Sequence, residues 1–145
     1  MCLIIDNNAF REFVDKTRPV FDVYKIVRLD YSGKYRTPYQ EIEIKLNEPF
    51  VADRSPVFRT KYFSDFYRNG VVLEGGAIHC CLSIDNVKEY LKQIANIYND
   101  YRVLKCKADI IHLIAIGQFD SVAYPMSIAL SEILPYEDLG QIGNL

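Results

Sequence analysis

The sequence predicts an α+β domain in which a mostly antiparallel sheet carries one long amphipathic helix packed on one face, together with a short N-terminal helix. Several segments alternate between apolar and polar residues, as half-buried strands do. One segment, from about residue 85 to residue 99, has the 3.6-residue period of a helix. The length of 145 residues suits a single compact domain over residues 1–145, with a loose tail over residues 138–145.

The first elements are predicted to be a strand and the short helix. Residues 2–6 are mainly apolar and form the strand. Asn7 or Asn8 is a suitable N-cap for a helix that ends near Lys16, because a side-chain oxygen at that position can accept a hydrogen bond from an unpaired backbone N–H.

Two alternating strands and a long connection are predicted next. The first strand spans residues 21–29, and one of its faces carries Phe21, Val23, Lys25, Val27 and Leu29. A turn at residues 30–33 precedes a second strand at residues 40–46. Residues 47–70 contain two prolines and scattered aromatics, which favour an irregular connection with one helical turn near residues 61–67.

The second half of the chain contains the predicted long helix between strands. Ser83 or Asp85 caps this helix, and its apolar face carries Val87, Leu91, Ile94 and Tyr98. Residues 123–134 suit either a strand or a short helix. The other strands are predicted at residues 71–73, 77–83, 101–108 and 110–116.

Composition narrows the class of protein. The 17 Lys and Arg residues and 19 Asp and Glu residues give a formal net charge of −2, which argues against broad binding of nucleic acid or anionic membranes. No stretch approaches the roughly 20 apolar residues of a membrane span, and the first residues lack the basic start of a signal peptide. The four cysteines are irregularly spaced, which favours reduced thiols and a cytoplasmic location: Cys2, Cys80, Cys81 and Cys106.

The segment from Phe58 to Arg68 is the predicted binding surface, and we call it the aromatic-basic segment. Aromatic residues and arginine are enriched in the cores of protein interfaces, so the segment indicates a protein partner or self-association. The same mixture can bind single-stranded nucleic acid, which the net charge argues against. The predicted contact residues are Phe58, Arg59, Lys61, Tyr62, Phe63, Phe66, Tyr67 and Arg68.

The histidine and cysteine residues do not predict a metal site or a cofactor. His79 and Cys81 share one face of a strand, but a structural zinc site needs four ligands, and Cys106 and His112 are remote in sequence. A cysteine nucleophile would need a histidine base beside it in space, which spacing alone does not provide. The cysteines are interpreted as small buried hydrophobic residues.

The first eight residues, Met-Cys-Leu-Ile-Ile-Asp-Asn-Asn, resemble the opening of PIN-domain ribonucleases. The first strand of those enzymes delivers a metal-binding aspartate, which would be Asp6 in this chain. The resemblance covers about fourteen residues and implies a metal-dependent ribonuclease. The plain interpretation of Asp6 is a turn residue at the end of a strand.

A second resemblance spans residues 21–134 through short motifs. The motifs are a Tyr-Lys strand at residues 23–27, Thr-Pro-Tyr at residues 37–39, Gly76-Ala-Ile-His79 before the helix, and residues 103–106 leading to Ile116-Gly117. In this pattern the chain is similar to a group of small uncharacterised proteins from bacteria and their phages, which often begin with Met-Cys-Leu. That resemblance implies no particular activity.

The same layout is loosely similar to ADP-ribosyltransferases. Those enzymes place an Arg or His on an early strand, a serine before a helix and a glutamate near a late strand. The matching positions are Arg28, Ser83 and Glu132, but Cys81-Leu82-Ser83 stands where these enzymes have a Ser-Thr-Ser triplet. The resemblance implies NAD binding, whereas the plain interpretations are a surface arginine, a helix cap and an exposed glutamate.

The sequence therefore favours a non-enzymatic accessory or interaction protein of phage or mobile-element type that binds protein through the aromatic-basic segment. Whether the chain is an enzyme stays open. The two enzyme alternatives are an ADP-ribosyltransferase-like protein and a PIN-like nuclease.

Overall fold

The computed structural model describes residues 3–38, 40–63, 68–94, 101–119 and 127–141. These residues form twelve strands and two helices. The helices are α1 (Asn7–Lys16) and α2 (Ile84–Ile94). The strands are β1 (Leu3–Ile5), β2 (Val20–Leu29), β3 (Tyr35–Arg36), β4 (Glu43–Ile44), β5 (Phe50–Val51), β6 (Val57–Phe63), β7 (Arg68–Gly75), β8 (Ile78–Cys81), β9 (Tyr101–Asp109), β10 (Leu113–Phe119), β11 (Ser127–Leu130) and β12 (Glu132–Gln141).

The strands join in one continuous path in the order β5-β12-β9-β2-β8-β11-β10-β1-β7-β6. Two short strands lie off this path, since β3 pairs with both β2 and β4. Each of these pairs is antiparallel, and the longest register joins β2 to β9, from Val20 opposite Asp109 to Arg28 opposite Tyr101. The strand β6 therefore ends the path on one side and β5 ends it on the other.

The predicted α+β class, with one long helix packed on the sheet, is wrong. The chain is mostly antiparallel sheet with two short helices among its described residues, and the described part of α2 has only 11 residues. The largest error lies in residues 47–70, which were expected to form a connection and a helical turn but contain β5, β6 and the start of β7. The strand β6 was missed because polar and apolar residues are mixed on this edge strand, so its burial pattern is weak. The predicted residues 95–99 of the helix lie outside the described residues.

Helix α1 begins at Asn7, one residue before the earliest start that an N-cap at Asn7 or Asn8 would give. Its N-cap is Asp6, whose Oδ1 accepts a hydrogen bond from the backbone N–H of Ala9 at 3.0 Å. Asn7 and Asn8 are the first residues of the helix. The helix can start here because β1 ends at Ile5, which leaves Asp6 in the extended conformation that an N-cap requires.

Apolar side chains cover both faces of the sheet, so neighbours in one strand pack into different cores. We call the first the α2-side core, which consists of Leu3, Ile26, Leu73, Cys81, Val87, Tyr90, Leu91, Val103, Ala115 and Ala129. The second, the α1-side core, consists of Val23, Val27, Ile44, Ile78, Cys80, Leu104, Cys106, Ala108, Ile116, Ile128, Leu130 and Ile133. Phe10 and Phe13 of α1 pack against this second core. Burial on both faces explains why several strands are nearly continuous apolar runs.

The last strand extends into the segment that was expected to be a loose tail. Residues 138–141 belong to β12, where Asp138 pairs with Leu104 and Gln141 with Arg102. Asp138 accepts hydrogen bonds from the hydroxyl of Tyr35 at 2.7 Å and from Nε of Arg102 at 2.9 Å. Although partial burial acts to raise the pKa of Asp138, these hydrogen bonds hold it below its usual value. The carboxylate therefore ties the end of β12 to β3 and β9.

We predict that Leu91→Ala lowers the free energy of unfolding by about 2–5 kcal/mol, because truncation of a buried leucine removes apolar burial and leaves a cavity. Leu91 is 8% exposed and belongs to the α2-side core. The matched control is Lys92→Ala. Lys92 is exposed and pairs with Glu89 at 3.2 Å on the helix surface, so its removal should cost less than about 1 kcal/mol. Denaturant unfolding measures both, and equal losses would show that the buried face of α2 is assigned incorrectly.

Candidate functional site

The first candidate surface is the end of the sheet formed by β6, which carries the first half of the aromatic-basic segment. Phe58 is 48% exposed and Tyr62 is 58% exposed. Between them, Arg59 forms an ion pair with Glu74 of β7 at 2.6 Å, and Lys61 is half-buried. The structure thus places two large aromatic side chains in solvent on one strand.

For the remaining predicted contact residues, the structure gives the strand positions of Phe63 and Arg68. Phe63 is the last residue of β6 and Arg68 is the first of β7, and the two are paired in the register. Phe66 and Tyr67 lie outside the described residues. A protein-binding role of all eight predicted contact residues stays a prediction.

The exposed apolar side chains of this hairpin lie on one face. Phe58 is opposite Leu73, Thr60 is opposite Val71, and Tyr62 is opposite Asn69. Paired residues of an antiparallel ladder point to the same face, so Phe58, Tyr62 and Val71 share the face on which Leu73 enters the α2-side core. Val71 is itself 45% exposed. The result is an apolar strip that runs along the outermost two strands.

The second candidate site is a cleft of about 290 Å³ between β2 and β8. These two strands form a single pair, Tyr24 with Cys81, after which β2 pairs with β3 from Arg28 onward. The edge of β2 is unpaired between these two points, and the cleft opens there. Its lining also includes residues from β5 to the turn before β6, from the β7–β8 turn and from α2.

Lys25 lies at the opening between the two strands. Its Nζ donates a hydrogen bond to the backbone oxygen of His79 at 3.0 Å, which supplies the partner that a longer β2–β8 ladder would have provided. In the sequence, Lys25 stands out as the charged residue between Val23 and Val27 on an otherwise apolar strand face.

The turn between β7 and β8 closes one side of the cleft. Gly76 has a φ of +77°, in the left-handed region that favours glycine. A Cβ atom on Gly76 would clash with the backbone of Ser55, so the glycine also allows the two segments to approach closely. Gly75 and Gly76 both line the cleft.

Three titratable groups of the cleft lining are held in their neutral forms: His79, Cys80 and Cys81. Burial, together with the nearby charge of Lys25, lowers the pKa of His79 to about 4. Burial raises the pKa of Cys80 to about 12 and that of Cys81 to about 11. Neutral thiols are poor nucleophiles and poor metal ligands, so a cysteine-based reaction is not supported here.

The three cysteines among the described residues form no disulfide, as expected. Burial raises the pKa of Cys106 as well, and no disulfide joins Cys80, Cys81 and Cys106. Cys2 lies outside the described residues.

The three residues that match ADP-ribosyltransferases lie in separate places. Arg28 forms an ion pair with Glu41, and Ser83 caps α2 by accepting a hydrogen bond from the N–H of Asn86 at 3.1 Å. Glu132 lies 3.9 Å from Nδ1 of His112. Arg28 and Glu132 are roughly 25 Å apart along the sheet at about 3.3 Å per residue, and none of the three residues lines the cleft.

Asp6 acts as the N-cap of α1 and lines a depression of about 310 Å³ with Asn7, Asn8 and Gln118. Within residues 3–38, 40–63, 68–94, 101–119 and 127–141, no group of three or more His, Cys, Asp or Glu side chains could hold a metal ion. The capping hydrogen bond accounts for the position of this aspartate without a metal.

Comparisons with protein-family models, curated proteins and solved structures give no match for this chain. In the described part of the chain, no helix has the length and apolar character needed to cross a membrane.

We predict that His79 makes stability depend on pH between about 6.5 and 4. An unfolded histidine takes up a proton below its ordinary pKa of 6.5, whereas folded His79 stays neutral down to about 4. Its contribution is therefore fully present above pH 6.5 and is lost as the pH falls through the folded pKa, by about 3 kcal/mol in total. The measurement is the free energy of unfolding at pH 7 and at pH 4.5, for the wild type and His79→Gln.

His79→Gln should remove most of this loss between pH 7 and pH 4.5. The control is His112→Gln, which replaces the second of the two histidines in the chain and should leave the loss in place. If the wild type, His79→Gln and His112→Gln all lose the same stability between pH 7 and pH 4.5, the loss is due to carboxylates and not to His79.

We also predict that Cys80, Cys81 and Cys106 react slowly with a thiol reagent at pH 8, because each is buried and its pKa is raised. Mass spectrometry of the labelled peptides, before and after addition of denaturant, reports each position. Fast native labelling of Cys81 would show that the cleft admits the reagent and activates the thiol.

Proposed function

We propose that this chain is a non-enzymatic protein-binding module that pairs the outer edge of β6 with an extended segment of another protein. The observation that carries the proposal is the exposed edge itself. The strand β6 is the last in the sheet, and within the described residues β7 is its single strand partner. A strand at this position presents unpaired backbone N–H and C=O groups, which another strand can satisfy.

The side chains of β6 provide apolar contact for such a partner. Phe58 and Tyr62 lie on the same face and are about half-exposed, and Val71 extends the strip onto β7. Exposed apolar side chains that form a contiguous patch commonly mark a contact surface. Aromatic residues are also favoured at the centre of interfaces because they bury a large area with few rotatable bonds.

The charges on β6 disfavour a second copy of the chain as the partner. An antiparallel pairing of two β6 strands that keeps their faces matched can centre on Arg59, Thr60 or Lys61. Each choice brings a cation opposite a cation: Arg59 opposite Arg59, Arg59 opposite Lys61, or Lys61 opposite Lys61. Like charges directly opposite one another destabilise a sheet. In other proteins, lysine and arginine on edge strands prevent the edges of two sheets from pairing in the same way.

A partner that fits therefore alternates apolar and acidic residues. Its apolar side chains would contact Phe58 and Tyr62, and its carboxylates would lie on the opposite face near Arg59 and Lys61. Specificity would come from these alternate side chains, while the main-chain hydrogen bonds would provide affinity independent of sequence.

An accessory role of phage or mobile-element type is part of this proposal and is supported by the resemblance described above. The three described cysteines are buried and reduced, which supports action in the cytoplasm. The arrangement of Arg28, Ser83 and Glu132 offers no support for an enzyme.

The experiment measures binding of three labelled seven-residue peptides by fluorescence anisotropy: alternating Val and Glu, alternating Val and Lys, and the Val-Glu peptide with prolines at two inner positions. We predict that the Val-Glu peptide binds at least tenfold more tightly than the Val-Lys peptide. The proline peptide should bind weakly, because proline lacks the N–H that a ladder requires.

The double variant Phe58→Ser, Tyr62→Ser should weaken binding of the Val-Glu peptide at least tenfold. Tyr31→Ser is the matched control, since Tyr31 is a fully exposed aromatic in the turn after β2. Equal binding of all three peptides, or no effect of the double variant, would contradict the proposal. A dimer in sedimentation analysis that the double variant dissociates would instead assign the edge to a second copy.

A further inference from the structure

The cleft between β2 and β8 has the size of a small ligand. Its volume of about 290 Å³ holds on the order of ten water molecules, at about 30 Å³ each. This volume is near the lower limit for ligand pockets, which are mostly apolar with a few polar groups that fix orientation. A ligand that fits would have about ten non-hydrogen atoms.

Lys25 is the half-buried charged residue of the cleft lining. An ammonium group has three donors, and Nζ of Lys25 uses one of them for the backbone oxygen of His79. Within the part of the chain that the structure describes, no carboxylate lies within ion-pair distance of Lys25. A half-buried cation without a counter-ion is unfavourable, so an anion that entered the cleft would gain both charge pairing and hydrogen bonds.

The lining has three other charged residues, and all three are exposed: Arg54, Asp53 and Glu74. The case for an anion therefore depends on Lys25, which is half-buried. Arg54 lines the cleft with its guanidinium group against Gly75. Glu74 is already paired with Arg59, and Asp53 is an exposed residue. The side chain of His79 is neutral near pH 7 and contributes no net charge.

Apolar side chains from both faces of the sheet line the cleft. Tyr90 and Leu91 are buried residues of α2, and Phe50 lies at the start of β5. Tyr24 and Tyr101 add two aromatic rings to the same lining. Aromatic walls favour a flat apolar body, which can stack on a ring face or contact a ring edge.

We propose that this cleft binds a small organic carboxylate, whose oxygen atoms accept hydrogen bonds from Lys25 Nζ and whose flat apolar body packs against Tyr90, Leu91 and Phe50. The carboxylate supplies the counter-charge that Lys25 lacks. The apolar body replaces water against the walls, which stabilises the complex further.

The test uses four probes of similar or smaller size: benzoate, benzamide, benzylamine and acetate. Binding to the wild-type protein is measured by two-dimensional amide NMR, which also locates the site. We expect benzoate to bind with a Kd of about 1 mM or tighter and to shift the amide signals of Lys25, His79 and Tyr90. Benzamide, benzylamine and acetate should each bind at least tenfold more weakly, because each lacks either the charge or the ring.

Lys25→Gln should reduce the affinity for benzoate at least tenfold, because it removes the charge while it keeps a polar side chain with N–H donors. Lys45→Gln is the matched control, since Lys45 is an exposed lysine that does not line the cleft. If Lys25→Gln does not fold, the ranking of the four probes on the wild-type protein decides. Equal affinities for benzoate and benzamide, no detectable benzoate binding, or shifts confined to residues outside the cleft would overturn the proposal.

Discussion

The architecture depends on how β2 shares its edges. One edge pairs with β9 over nine residues, and the other is divided between one pair with β8 and a short ladder with β3. Where neither β8 nor β3 pairs with β2, buried backbone N–H and C=O groups need other hydrogen-bond partners. The backbone oxygen of His79 in β8 has such a partner, because the long side chain of Lys25 reaches across the opening and donates to it. The cleft and the position of Lys25 follow from the same geometry.

Both faces of the sheet must be covered, and two short helices are too small to cover them. Helix α1 lies against one face, together with the segment from β3 to β5, and α2 lies against the other. The sheet extends past this cover at β6, where Phe58, Tyr62 and Val71 remain exposed. The apolar face of the sheet is therefore exposed at its β6 edge, and a partner strand paired with β6 would extend the sheet there.

Local pattern predicted several elements correctly, while the pairing of distant strands could not be read from it. The alternation over residues 21–29 and the apolar period of the helix that follows Ser83 match β2 and the start of α2. The strand β6 and the extension of β12 past Pro135 were missed, because edge strands and bulged strands have weak alternation. The α+β prediction failed for the same reason, since it counted the clear helix and overlooked the weak strands.

The sequence predicts part of each candidate site. The content of aromatic residues and arginine is enough to point to Phe58 and Tyr62, because this signal does not depend on the fold. Lys25 was visible as a charged residue on an apolar face, but its meaning required the gap between β2 and β8. That gap arises from contacts between residues more than fifty positions apart, as in the bond between Lys25 and His79. No local pattern encodes such a contact.

The exposed edge and the cleft are joined by one ion pair. Glu74 lines the cleft and pairs with Arg59 of β6, so a partner whose carboxylates approach Arg59 would compete with Glu74. Arg59 is 57% exposed, and exposed ion pairs contribute about 0–1 kcal/mol. A coupling carried by this pair therefore changes affinity by a factor of about five at most, since 1.4 kcal/mol corresponds to tenfold. The two sites are adjacent in structure but are expected to bind their ligands almost independently.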